Sequence, residues 1–259
     1  HLPQNRLEKL DEQSLHQLAK THLALSELLR SMRKLDAAEK EARLAVQISV
    51  RQVANHPEVR GYRLDLAAQH NVLAIILVLS NRFKEAAAAA QQSATLCTEL
   101  PASLRGQEKH FRFCLARAHE RLGLARLNLN DFAGALESYD KTLELDPSCV
   151  WSSYYRGILH EKFGQTDQAL ADFQNAVRVA PRLVEPRRRL GVLHHGQHQY
   201  KEAFEAFSEV IRRSPDQPQG YANRGKTLLC MGDYDQARAD LNKALQLGAK
   251  DGEAQSAMA

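Results

Sequence analysis

The chain has 259 residues, 44% of them hydrophobic and 25% charged, with a formal net charge of +4. That is enough apolar mass to bury a core, and neither half is basic enough to suggest a non-specific nucleic-acid binder. The longest apolar run, Val72 to Leu79, has eight residues and cannot span a bilayer by itself. Four cysteines, Cys97, Cys114, Cys149 and Cys230, lie far apart without a C-x-x-C pair. The spacing fits neither a disulfide framework nor a zinc site, so reduced thiols in a cytosol are the expectation. The first residue is His1, with no initiator Met or signal-peptide pattern, as expected of a piece of a longer protein.

Taken in order, the chain reads as helices throughout. Asp11–Arg33 and Leu35–Asn55 form a first long pair, closed by His56-Pro57. Glu58–Ser80 and Arg82–Leu100 form a second, closed by Leu100-Pro101. The two pairs share a signature: Ala38 and Ala86, with Leu35 and Phe83 just before them and Ser26 and Ala74 twelve residues earlier. Further on, the period shortens. Gly123, Gly157, Gly191 and Gly225 are 34 residues apart, as are Ala135, Ala169, Ala203 and Ala237. Between each Gly and its Ala sits Phe132, Thr166, Tyr200 or Tyr234, and four residues after each Ala comes Tyr139, Phe173, Phe207 or Leu241. Pro147, Pro181 and Pro215 close three of the units. A small residue on each helix lets two antiparallel helices approach, and the large residue fills the space beside them. Turns such as Asn130-Asp131 and Gly232-Asp233 separate the helices, and each Pro stops the second one.

The 34-residue pattern resembles the tetratricopeptide repeat, with a small residue at position 8, Ala at 20, an aromatic at 24 and Pro at 32. Units start at residues 116, 150, 184 and 218, and longer ones near 19 and 67. The resemblance implies an all-α fold, a right-handed α–α superhelical solenoid of about six helix pairs. Residues 1–102 would form two long pairs. Residues 103–249 would form four units, the first with an extended leading helix, and 250–259 a disordered tail, all in one continuous solenoid. The long units, with the L-A-x-x-x-x-x-L-A stretch from Leu66 to Ala74, resemble repeat regions attached to some bacterial serine/threonine kinases.

By the same resemblance, the first helix of each pair lines a concave groove. The groove positions select Arg117 and Arg121 in one unit, then Trp151, Tyr154, Tyr155 and Ile158 in the next. Arg188, Arg189 and His195 follow, then Asn223 and Lys226. Trp, Tyr and Arg dominate interface energies, so the expected site is centred on Trp151, Tyr154 and Arg188 and takes a peptide with acidic and apolar residues. The plainer alternative is that Trp151 or Tyr154 packs between helices and Arg187 to Arg189 form a solvated face. Val72, Ile75, Val78 and Leu79 read as core. The family's clamp for chaperone C-termini needs Lys, Asn, Asn, Lys and Arg where this chain has Glu120, Leu124, Tyr155, Glu185 and Arg189. Only Arg189 fits, so that clamp is not expected.

His194 and His198 could share a helix face and hold a metal, but Gly196 and a turn near residues 197–199 break the spacing, so no metal or other cofactor is expected. No G-x-S-x-G, Walker loop or H-E-x-x-H occurs, and the glycines are accounted for by packing. The sequence therefore reads as a non-catalytic protein–protein interaction scaffold, cytoplasmic and bacterial, with neither nucleic acid nor membrane as partner. A homo-oligomerising module, or the regulatory arm of a larger enzyme such as a kinase, is the alternative.

Overall fold

The structure is a computed structural model that describes residues 10–98 and 108–248. Twelve helices and no strands occur among the described residues. They divide into two compact units that meet in sequence at Pro147 and Ser148. The first unit holds α1 (Glu12–Ser31), α2 (Leu35–Asn55), α3 (Arg60–Leu79), α4 (Phe83–Thr98), α5 (Glu108–Asn128) and α6 (Phe132–Leu145). The second holds α7 (Val150–Lys162), α8 (Thr166–Val179), α9 (Val184–Gly196), α10 (Tyr200–Arg213), α11 (Pro218–Met231) and α12 (Tyr234–Gln246). Within each unit the helices pack as successive hairpins. The breaker Leu100-Pro101, the front residues 103–107 and the tail at 250–259 lie outside the described residues.

The helix starts follow from local chemistry. Asp11, Asp131 and Asp233 cap α1, α6 and α12, accepting hydrogen bonds from the backbone N–H of Ser14, Gly134 and Gln236 at 2.7, 3.0 and 3.2 Å. Each hairpin turns through one left-handed residue: Arg33, Asn81, Asn130, Gly164, His198 and Gly232, with φ between 58° and 83°. The chain can reverse there because one residue in that conformation ends a helix and frees the next to start. These six residues repeat with the same phase as the units read from sequence.

The Gly–aromatic reading is borne out in atoms. A Cβ added at Gly123 would lie 2.7 Å from the Tyr139 ring, at Gly157 2.8 Å from Phe173, and at Gly191 2.6 Å from Phe207. Gly225 faces Leu241 at 2.9 Å in the same way. In the two long pairs the corresponding positions are Ser26 with Ala42 and Ala74 with Ala90, all four fully buried. Small residues on both sides there replace the glycine and ring, so these helices meet without a large side chain between them at this point.

Two forks add to the second unit. Arg156 of α7 grips Asp172 of α8 with Nε at 3.0 Å and a second nitrogen at 2.6 Å. Arg224 of α11 grips Asp240 of α12 in the same way, at 2.7 and 2.8 Å. Both carboxylates are nearly buried, and the bidentate geometry satisfies them. The pairs are two repeats apart; the intervening unit carries Leu190 and Ala206 at those positions.

Helix α3 corrects one inference from the apolar run. Over eighteen residues its mean hydropathy reaches 1.2, enough by length and composition to cross a membrane. Alanines and leucines before Val72 raise the average. In the fold, Leu66, Ala67, Leu73, Ala74, Ile76, Leu77 and Val78 are packed inside the unit. From Leu73 onward they join Ala38 and Ala42 of α2, Ala86, Ala89 and Ala90 of α4, and Leu122 and Ala125 of α5 in one core, while Ala67 belongs to a second, smaller cluster.

Candidate functional site

The first helices of the three hairpins in the first unit, α1, α3 and α5, enclose a cleft of about 320 Å3. Each contributes one face at helical spacing: Leu23, Glu27 and Arg30 from α1; Ala68, Asn71, Val72 and Ile75 from α3; His110, Phe113, Cys114, Arg117 and Arg121 from α5. The second helices α2, α4 and α6 stay out of it. The floor is apolar and the rim is cationic, three arginines against one glutamate. Phe113 stands 54% exposed, and the Arg117 guanidinium lies over its ring at 5.1 Å.

The arginines are held from beneath. Glu120 is 4% exposed and accepts from Arg117 at 2.7 Å, while Arg121 approaches its other oxygen at 3.2 Å. One buried carboxylate thus orients two guanidinium groups at the mouth. The Nε of Arg30 is buried there without a hydrogen-bond partner.

Of the residues singled out in sequence, Arg117 and Arg121 line this cleft. The others fall in the second unit. Trp151 is 45% exposed, with Tyr155 stacked beside it at 6.1 Å and Tyr154 edge-on at 6.0 Å. Tyr154 is buried against Phe173 in the core of that unit, with Ile158 packed half-buried against the same cluster. Burial pushes the Tyr154 hydroxyl above its ordinary pKa, and it donates to Glu185 at 3.4 Å. For Tyr154 the packing alternative is what the structure contains.

Arg188 and Arg189 carry carboxylate partners of their own. Arg188 forks onto Glu185, and Arg189 donates to Glu161 at 3.2 Å, tying α9 to α7. The Arg188 guanidinium holds the Glu185 carboxyl below its usual range. His195 meets Thr227 at 3.1 Å, and burial lowers its pKa. Asn223, whose carbonyl accepts from Thr227 at 2.9 Å, and Lys226 are half-buried on α11. His194 and His198, considered as metal ligands, and their neighbour His195 turn to separate partners. His194 meets Gln199 at 2.6 Å and His198 meets Tyr200 at 2.6 Å, while His195 keeps to Thr227.

Phe113, Leu23 and Arg30 escaped the sequence reading. Phe113 lies one turn before Arg117, on the part of α5 that extends ahead of the regular repeat, so repeat positions alone did not reach it. Val72 and Ile75 were read as core, yet they are half-buried and form the floor. Helical spacing was visible in all three stripes; which face stays uncovered was not.

Three tetratricopeptide-repeat models match the chain, over residues 116–149, 154–218 and 194–259, together more than half of it. Among curated proteins, the Hsp70-Hsp90 organizing protein of Triticum aestivum is 27% identical over 148 residues, 55% of this chain and 24% of that protein. The chain spans about a quarter of the length of the curated relatives it matches. Among solved structures, YrrB, described as a TPR protein with an unusual peptide-binding site, superposes with a TM-score of 0.63 at 19% identity. That match covers 81% of this chain and 97% of YrrB. A tetratricopeptide repeat protein from Parabacteroides merdae gives 0.62 at 18% identity, covering 93% and 84%. At such identities the structural likeness speaks to fold alone.

Proposed function

The chain belongs to the tetratricopeptide repeat family, and on that premise we propose that it is a protein-interaction scaffold whose first unit grips a peptide in the cleft among α1, α3 and α5. The observation that carries this reading is the pairing, within one cleft, of an exposed phenyl ring with two arginines fixed by a buried glutamate. The ligand that fits is a segment with an apolar or aromatic side chain for the floor and carboxylates for the rim. Ion pairs between rim and ligand would steer encounter, and the buried ring would set the lifetime of the complex.

The chaperone carboxylate clamp is not the model for this cleft. Where that clamp needs lysines, Glu120 and Glu185 supply carboxylates already paired with arginines. The Trp151 face of the second unit is a separate anchor candidate.

The test is a fluorescence-polarisation screen of labelled peptides varying in acidic and aromatic content. Phe113→Ala and Arg121→Glu are each expected to weaken the best binder about tenfold or more, the loss of one ~2 kcal/mol anchor. Trp151→Ala is expected to leave that affinity unchanged. If Trp151→Ala abolishes binding while both cleft variants bind normally, the site lies in the second unit instead.

A second reading rests on a different surface. Leu25 and Leu28 of α1 and Met32, the residue that caps its C-terminus, are 40%, 57% and 53% exposed along one side. Such an apolar stripe suits association with a second copy of the chain.

A further inference from the structure

Cys97, in the last turn of α4, and Cys114, in the second turn of α5, are both buried in one small cluster with Ala67, Ala94, Leu115 and Ala118. The two side chains share that cluster on neighbouring helices that pack directly against each other. Two thiols in a core can act simply as small apolar side chains. The surroundings of Cys114 are not those of an inert thiol. Asn71 donates to its carbonyl at 3.0 Å and also reaches its sulfur at 3.5 Å, and Cys114 lines the floor of the cleft. The Asn71 amide is therefore directed at a sulfur that borders open space, with a second cysteine packed in the same cluster.

We propose that Cys97 and Cys114 form a peroxide-responsive dithiol, closing a reversible disulfide between α4 and α5 beneath the cleft. Cys114 is the attacking sulfur because it borders the cleft and meets the Asn71 amide at 3.5 Å, whereas Cys97 lies fully buried. The directions of their pKa agree, Cys114 lowered by its Cys97 neighbour and Cys97 raised by Cys114 and by burial. The Cys114 thiolate attacks one oxygen of hydrogen peroxide. An S–O bond forms, the O–O bond breaks, and the departing hydroxide takes a proton to leave as water. Cys97 then attacks the sulfur of the Cys114 sulfenic acid. The S–S bond forms, the S–O bond breaks, and the hydroxyl leaves as a second water with the Cys97 proton. The two thiols lose two electrons together and the peroxide gains them. Because α4 and α5 already pack against each other, closure requires side-chain rotation and a small approach rather than unfolding.

The experiment treats the reduced chain with hydrogen peroxide and digests it without reductant for mass spectrometry. The expected product is one cross-linked peptide joining Cys97 to Cys114, lighter by two hydrogens and restored by dithiothreitol. Cys97→Ala is expected to leave Cys114 as a sulfenic acid trapped by dimedone, and Cys114→Ala to leave Cys97 unreacted. Both thiols unmodified at peroxide levels that oxidise the exposed Cys230 would overturn the proposal, and so would independent oxidation without a cross-link. The unsubstituted chain gives this answer alone, so a folding defect in either variant leaves the outcome decisive.

Discussion

His119, on α5, is the residue whose ionisation the fold resists most plainly. Its Nδ1 is buried without a hydrogen-bond partner, and burial, aided by Lys141, lowers its pKa from 6.5 to about 4. Between those values the unfolded chain binds a proton that the folded chain refuses, so stability falls as pH drops through that window. His70 is lowered by burial too and adds to the same limb. Melting temperatures measured from pH 7 to pH 4.5 are expected to fall, and to fall less in His119→Leu. Parallel curves for the two proteins would show that His119 does not contribute. Nothing in the sequence distinguished this histidine from the other ten, because burial depends on which helices come to cover it. Trp151 and Tyr154 show the same limit. Three residues apart on one helix, both matched groove positions, and only Trp151 stays substantially exposed.

At the scale of a helix pair, the sequence was far more legible. Gly157 and Phe173 sit sixteen residues apart on α7 and α8, and the ring fills the space where a Cβ would be. Gly157→Leu is expected to overpack this pair and cost about 1–3 kcal/mol, lowering the melting midpoint of the second unit. An unchanged midpoint would mean that the ring has somewhere else to go. The turns were legible for the same reason. A reversal between packed helices needs one left-handed residue, and Asn130 and Gly232 are types that tolerate it. Arg33 fills an equivalent place without that preference, so only the repeat phase marks it. The Arg156–Asp172 and Arg224–Asp240 forks went unseen, although each pair also spans sixteen residues. Charged residues at helical spacing ordinarily face water, and only the packed pair shows these two inside.

For the whole molecule, the open question is whether copies associate. Leu28 is the most exposed large apolar residue on α1, and its stripe has no polar interruption between Leu25 and Leu28 except Ser26 and Glu27 on other faces of the helix. If that stripe joins copies, light scattering across a concentration series is expected to show mass rising with concentration, and Leu28→Glu to return a constant monomer. A monomer at every concentration in the unsubstituted chain would remove the self-assembly reading and leave the cleft as the candidate interface. Both outcomes leave the peptide screen informative, since the cleft residues Phe113 and Arg121 lie on a different helix.

The sequence by itself determined the family, the all-α class, the helix pairs and the contact that closes each of the short ones. Those follow from local rules: helical spacing, breakers, and a small residue set against a large one at a fixed distance along the chain. The tertiary structure decided which helix faces stay uncovered. It placed an apolar floor and two braced arginines in the first unit, moved Tyr154 into a core, and brought Cys97 to Cys114. Each of those outcomes depends on contacts between hairpins, where the third dimension selects among faces that look alike in one dimension.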